Sequence, residues 1–362
     1  MAEAVTGGRV TRVPLQPEPR KVLVVGPAWV GDMVMSQSLY IHLQQTRPGL
    51  ILDVVAPPWS EPVLARMPQV NRSITLDAGH GEVALARRLA LGRSLRAEGY
   101  EQAIVLPNSF KSALVPLFAR IPRRTGWRGE MRFGLLNDLR LLPEASLPLM
   151  AQRFVALGME PGAAPAAEVP FPRLEVDPAS AALCRREFGL ELDRPVLSLC
   201  PGAEFGSAKR WPPAFFAALA REYLGRGWQV VLYGSGSDRD VCRQIWRDSG
   251  ALAHCHDLAG RTSLAQVVDM LSLSSAVVSN DSGLMHIAAA VGCPLVVVYG
   301  ATSPGFTPPL SRQALVITSD LDCAPCFQRE CPLGHHRCMR DTRPAQVAAK
   351  LDALLMTGGP VD

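Results

Sequence analysis

Lys209 and Arg210 stand near the end of CPGAEFGSAKRWP (200–212), a loop of small residues between the apolar run PVLSL and a helix opened by Trp211 and Pro212. A strand, such a loop and a helix start together offer backbone N–H donors and fixed positive charge, which suits a phosphate. An ordinary turn with a solvated Lys–Arg pair looks the same. In SNDSGLMHIAAA (279–290), Asp281, Ser282 and Gly283 form a second polar turn feeding an apolar helix that carries His286. His286 could orient a phosphate or fill the core. Two such turns in one half of the chain predict a diphosphate site. Between them, LYGSGSDRD (232–240) turns on Gly234, Ser235 and Gly236 and places Asp238 to accept hydrogen bonds from ribose hydroxyls, unless it is a plain solvated turn.

The first half offers a base and an anion-binding wall. In GPAWVGDMVMS (26–36), Asp32 sits where a helix begins after an apolar strand. It is either an N-cap or a carboxylate at the carboxyl end of a strand, where ligands of open α/β sheets bind and a substrate hydroxyl could be deprotonated. The turn PNSFKSA (107–113) brings Asn108, Ser109 and Lys111 to the same edge. Residues 120–140 hold six arginines against Glu130 and Asp138, among them Arg120, Arg123, Arg124 and Arg128 beside Trp127 and Phe133. Such a run is a solvated face or a surface for a bulky anionic acceptor.

Short β-rich runs alternating with helical stretches must position these groups. KVLVV (21–25), ILDVVA (51–56), SITLD (73–77) and QAIVLP (102–107) form one set. After a Pro-, Ala- and Gly-dense linker (158–178), PVLSL (195–199), QVVLYG (229–234), SAVVS (275–279), PLVVVYG (294–300) and ALVIT (314–318) form another. The fold class is α/β, with two doubly wound domains facing a cleft. The expected divisions are a disordered tail at 1–20, an acceptor-binding domain at 21–165, a nucleotide-sugar-binding domain at 166–343, and a C-terminal helix and tail at 344–362, whose helix could close either domain.

Composition agrees with a globular chain of two domains. Of 362 residues, 48% are apolar and 19% charged, and no apolar run is long enough for a transmembrane helix. A net charge of +4 is too small to imply nucleic acid. Five of the nine cysteines (Cys184, Cys200, Cys242, Cys255, Cys293) fall in core-like segments, as reduced cytoplasmic thiols do. The others, Cys323, Cys326, Cys331 and Cys338, crowd into CAPCFQRECPLGHHRC, which reads as a structural thiol cluster or, less in keeping with its spacing, a metal site. This end segment is expected to lie away from the cleft.

From residue 21 to 356, the ordered set GPAWVGDMVMSQSL, LPNSFKSALVPLFARIPRRTGWRGEMR, CPGAEFGSAKRWP, SNDSGLMHIAAAVGCP and CAPCFQRECPLGHHRC resembles the ADP-heptose:lipopolysaccharide heptosyltransferases. These are inverting glycosyltransferases of family nine with the GT-B fold. The resemblance is strongest to the branch that adds the second inner-core heptose. It implies ADP-heptose as co-substrate, Asp32 as general base and Lys209 as the diphosphate-binding catalytic cation. It also implies Asp281, Ser282, Gly283 and His286 as a second donor loop, with Asp238 and Thr262 near ribose and adenine. Glu204 and Phe205 occupy positions where the related first-heptose enzymes have hydroxylic residues. No metal is required by such a mechanism. The implied acceptor is a lipid A–core glycolipid at the inner leaflet, so the protein would be cytoplasmic and peripheral to that membrane surface. Alternatives are another family-nine transferase, a nucleotide-sugar 2-epimerase, which would not need the arginine wall, and a non-catalytic nucleotide-sugar-binding protein.

Overall fold

The computed structural model describes residues 20–356 except 80, 165, 167 and 192. The expected N-terminal tail and the last residues of the chain lie outside the described residues. The strands are β1 (Lys21–Val25), β2 (Ile51–Ala56), β3 (Arg72–Thr75), β4 (Gln102–Val105), β5 (Arg123–Trp127), β6 (Asp138–Arg140), β7 (Val196–Cys200), β8 (Gln229–Leu232), β9 (Cys255–Asp257), β10 (Ala276–Asn280), β11 (Leu295–Val298) and β12 (Ala314–Ile317). They form two parallel six-stranded sheets, ordered β3-β2-β1-β4-β5-β6 and β12-β11-β10-β7-β8-β9. Counted from β7, the second sheet repeats the order of the first. The long apolar runs follow from this topology: Leu295–Val298 is wholly buried because helices cover both faces of a parallel sheet.

The order reverses between β1 and β4 in one sheet and between β7 and β10 in the other. Loops leaving the carboxyl ends of strands on either side of such a reversal diverge and open a crevice. Those loops, and the helix start that follows β1, carry Asn108, Lys209, Asp281 and Asp32, so topology alone collects the chemistry-bearing residues at two facing crevices.

The stretch 120–140 is not simply a charged face, because it contains β5 and β6. Its arginines mask the strand signal. The buried part of β5 is only Thr125, Gly126 and Trp127. β9, three residues long, also lies outside the segments expected from sequence.

The halves join where helix Val30–Thr46 packs on helix Gly283–Ala290. Glycines permit the approach: a Cβ on Gly283 would lie 2.7 Å from Val30 Cβ, and one on Gly31 would lie 2.6 Å from His286 Cδ2. A second link is the Arg66–Asp269 ion pair at 2.6 Å, whose carboxylate also accepts from the Asp177 N–H at 2.8 Å. Gly283→Ala is expected to destabilise by about 1–3 kcal/mol through overpacking. A thermal melt should show it, and turnover should fall with it because this contact sets one crevice against the other. The last helix, Pro344–Met356, closes the second half, where Asp352 accepts from Tyr223 Oη at 2.7 Å and pairs with Arg226.

Candidate active site

Asp32 is the third residue of helix Val30–Thr46, and Trp29 occupies the N-cap position without a capping side chain. The N-cap alternative for Asp32 is therefore corrected. Burial raises its carboxyl to about 6, the nearby Lys209 ammonium pulls it down, and Asp281 pushes it up again. A carboxylate with this value is ionised at neutral pH yet a better proton acceptor than an ordinary aspartate.

Across the crevice, Lys209 ends a short 3-10 turn, Ser207–Lys209, and its Nζ lies 2.6 Å from Asp281 Oδ2. The Thr302 hydroxyl donates to the same oxygen at 2.5 Å. The ammonium also lies 4.9 Å from the Phe205 ring centroid, and the Arg329 guanidinium lies 5.5 Å from it. The Phe205 ring thus lies beside two cations, while Glu204 is exposed. Beneath the loops, the buried Asn280 side chain donates to Pro201 O at 2.7 Å and accepts from Trp211 N at 3.0 Å, tying the two phosphate-type turns together.

Thr302 and Asn280 escaped the sequence reading. Thr302 follows an apolar strand in the polar loop ATSPG, the same signal that marked Asp281, and could have been found by it. Thr302→Val should lower kcat/KM for the donor about tenfold by freeing Asp281 from one of its two donors. Steady-state kinetics should show it, with Thr302→Ser near wild type.

The cysteine segment does not lie away from the cleft. The Ala208 N–H donates to Arg329 O at 3.1 Å, Gly206 abuts the same carbonyl, and Phe327 N bonds Ala301 O at 2.7 Å. The segment braces both the Lys209 loop and the Thr302 loop, with Cys338 Sγ and Met339 packed where a Cβ on Gly300 would stand. Among the described residues no group of three or more His, Cys, Asp or Glu side chains is arranged to hold a metal ion.

Ser282 holds the N-cap position of helix Gly283–Ala290 and Gly283 is its first residue, so the positive end of the helix dipole lies at this turn. His286 is buried against Gly31, and burial lowers it to about 4, so it is a neutral imidazole at physiological pH. Asp238 Oδ2 accepts from Ser235 N at 2.9 Å and Ser235 Oγ at 2.7 Å, and Gly234 and Gly202 leave room for it. Thr262 Oγ1 is buried without a hydrogen-bond partner. A cavity of about 580 Å³ is lined in part by Arg239 and Arg261, the chain neighbours of Asp238 and Thr262, and by Trp246, and Asp238, Thr262 and Asp32 are not among its lining residues.

The residues expected to form an anion-binding wall do not all lie together. Asn108, Ser109 and Arg128 lie in loops, and Lys111 in the short 3-10 turn Phe110–Ala113, at the carboxyl ends of β4 and β5. Arg120, Arg123 and Arg124 do not join them: they precede or begin β5, at the opposite end of the parallel sheet. Arg123 pairs with Asp138 at 3.1 Å and Glu160 at 3.3 Å, and Arg124 donates to the carbonyls of Leu135 and Ile121, both at 2.6 Å. In their place the structure adds Arg132, which is 1% exposed. It donates to Pro107 O at 2.7 Å, Asn108 Oδ1 at 3.2 Å and Trp127 O. Its bond to Asn108 Oδ1 fixes the orientation of the Asn108 side chain.

Two parallel six-stranded sheets of this topology, with crevices at the carboxyl ends of their strands, are the architecture of a GT-B glycosyltransferase. The chain belongs to glycosyltransferase family 9 (heptosyltransferase), whose model matches residues 88–337. It is 47% identical over 346 residues to lipopolysaccharide heptosyltransferase 2 of Salmonella typhimurium, covering 94% of this chain and 99% of that one. Its identity to the Escherichia coli K12 protein of the same name is 47% over 343 residues, covering 93% of this chain and 99% of that one. The solved structure of E. coli ADP-heptose LPS heptosyltransferase II superposes with a TM-score of 0.84 at 46% identity, covering 93% of this chain and 99% of that chain.

Proposed function

We propose that this protein transfers L-glycero-D-manno-heptose from ADP-heptose to the inner-core heptose of lipopolysaccharide. The observation that carries the reading is the near-full-length identity to proteins named heptosyltransferase 2, which favours this acceptor over that of the first-heptose enzymes. In the proposed step Asp32 takes the proton of an acceptor hydroxyl as its oxygen attacks the anomeric carbon from the face opposite the diphosphate. The new C–O bond forms as the bond to ADP breaks, inverting that carbon. The charge developing on ADP is met by Lys209 and by the Ser282 and Gly283 N–H groups. These groups supply positive charge without a metal ion. Asp238 and Thr262 would hold the ribose and adenine end. Asn108, Ser109, Lys111 and Arg128 would face the anionic acceptor, with Arg132 orienting Asn108.

No helix among the described residues is long and apolar enough to cross a membrane. The acceptor would be met by a peripheral protein at the cytoplasmic face of the inner membrane. Incubation with ADP-heptose and defined truncated lipopolysaccharides, with a chelator present, followed by mass measurement of the product, tests donor, acceptor and metal independence together. Addition of one heptose to the acceptor ending in the first heptose is the expected product. Transfer only to an acceptor lacking heptose would overturn the assignment.

A further inference from the structure

Four large apolar side chains are left in water at one end of the first sheet. Met131 is 80% exposed, Leu141 71%, Phe133 65% and Phe110 40%. Hydrogen bonds hold their loops together. The Phe110 N–H donates to Glu130 Oε2 at 2.7 Å, Glu130 N to Asn108 O at 3.1 Å, and Arg128 N to Arg140 O, next to Leu141, at 2.6 Å. The patch is therefore one surface drawn from the carboxyl ends of β4, β5 and β6, beside Asn108. Its charge is positive: Lys111 and Arg128 have no carboxylate partner among the described residues, against the single acid Glu130, which accepts from the Phe110 N–H. The Arg128 guanidinium lies 5.7 Å from the Phe133 ring centroid, an apolar body with a cationic head beside it.

We propose that this surface docks on an anionic bilayer, with Met131 and Phe133 entering the headgroup region and Lys111 and Arg128 meeting lipid phosphates. Apolar tips ringed by unpaired cations match an interface that is apolar within and negative at its rim. A neutral protein partner would leave those cations uncompensated. The inference rests on the lipid-linked acceptor proposed above, and explains how that acceptor reaches the crevice: the docking patch and the Asn108 loop are continuous. It replaces the broader arginine stretch as the membrane contact, since Arg123 and Arg124 are taken up by partners within the fold.

The test is co-sedimentation of the full chain with vesicles of phosphatidylcholine, alone or with added phosphatidylglycerol, without donor or acceptor, so that an error in the assigned reaction leaves the result readable. The wild type should bind the anionic vesicles. The double variant Met131→Ser with Phe133→Ser should bind them at least about tenfold less tightly, given the apolar area withdrawn from lipid, and keep its melting temperature and its turnover on a deacylated, water-soluble core acceptor. Arg128→Gln should weaken binding to vesicles that contain phosphatidylglycerol and leave binding to phosphatidylcholine alone unchanged. Equal binding by the double variant and the wild type, or absence of wild-type binding, would overturn the proposal. So would a concentration-dependent dimer that the double variant abolishes, which would assign the patch to a second copy of the chain.

Discussion

Asp32→Asn is expected to reduce turnover by about 10²–10⁴-fold while leaving ADP-heptose binding near wild type. The substitution keeps size and shape and removes the capacity to take a proton. Because Trp29, not Asp32, holds the N-cap position, a capping role cannot account for a loss. Stability supplies an independent readout. The folded carboxyl is raised from 3.8 to about 6, so between those values the folded state binds more protons than the unfolded one and stability declines as pH rises. Above about 6, ionised Asp32 is a standing cost that Asn removes. The variant should therefore melt at or above the wild-type temperature at pH 8 while being nearly inactive. The same titration predicts that wild-type kcat/KM falls as pH drops through about 6, where the base becomes protonated. Near-normal turnover in Asp32→Asn would refute the general-base role.

Lys209→Ala should lower kcat/KM for the donor by tenfold to over a hundredfold, since a charged hydrogen bond to the diphosphate contributes about 1.5–3 kcal/mol. It should also destabilise the fold. The Lys209 side chain is 14% exposed and that of Asp281 5%, and removing one partner of a buried pair strands the other charge at a cost of about 3–5 kcal/mol. The two effects separate in the double variant Lys209→Ala with Asp281→Asn, in which the stranded charge is gone. Its melting temperature should recover while donor kinetics remain impaired. Recovery of both would mean that Lys209 acts only by neutralising Asp281.

Local features of the sequence determined the alternation of strands and helices, the two phosphate-type turns, Asp32 after the first strand, and the last helix. These depend on neighbours a few positions away: apolar runs make parallel strands, and small or polar residues at their ends make the loops that topology then assembles. β5 was hidden because Arg123 and Arg124 are satisfied by Asp138, Glu160 and two carbonyls, pairings that only folding creates. The same holds for Thr302 on Asp281 and Asn280 between two loops, where single hydrogen bonds join segments distant in sequence and leave no periodic trace. The raised proton affinity of Asp32 belongs wholly to tertiary structure. It exists because Gly31 and Gly283 let two helices from different halves touch, burying the carboxylate beside Lys209 and Asp281. Residue type and spacing can nominate a base, but desolvation and facing charge decide its strength, and both come from the other half of the chain.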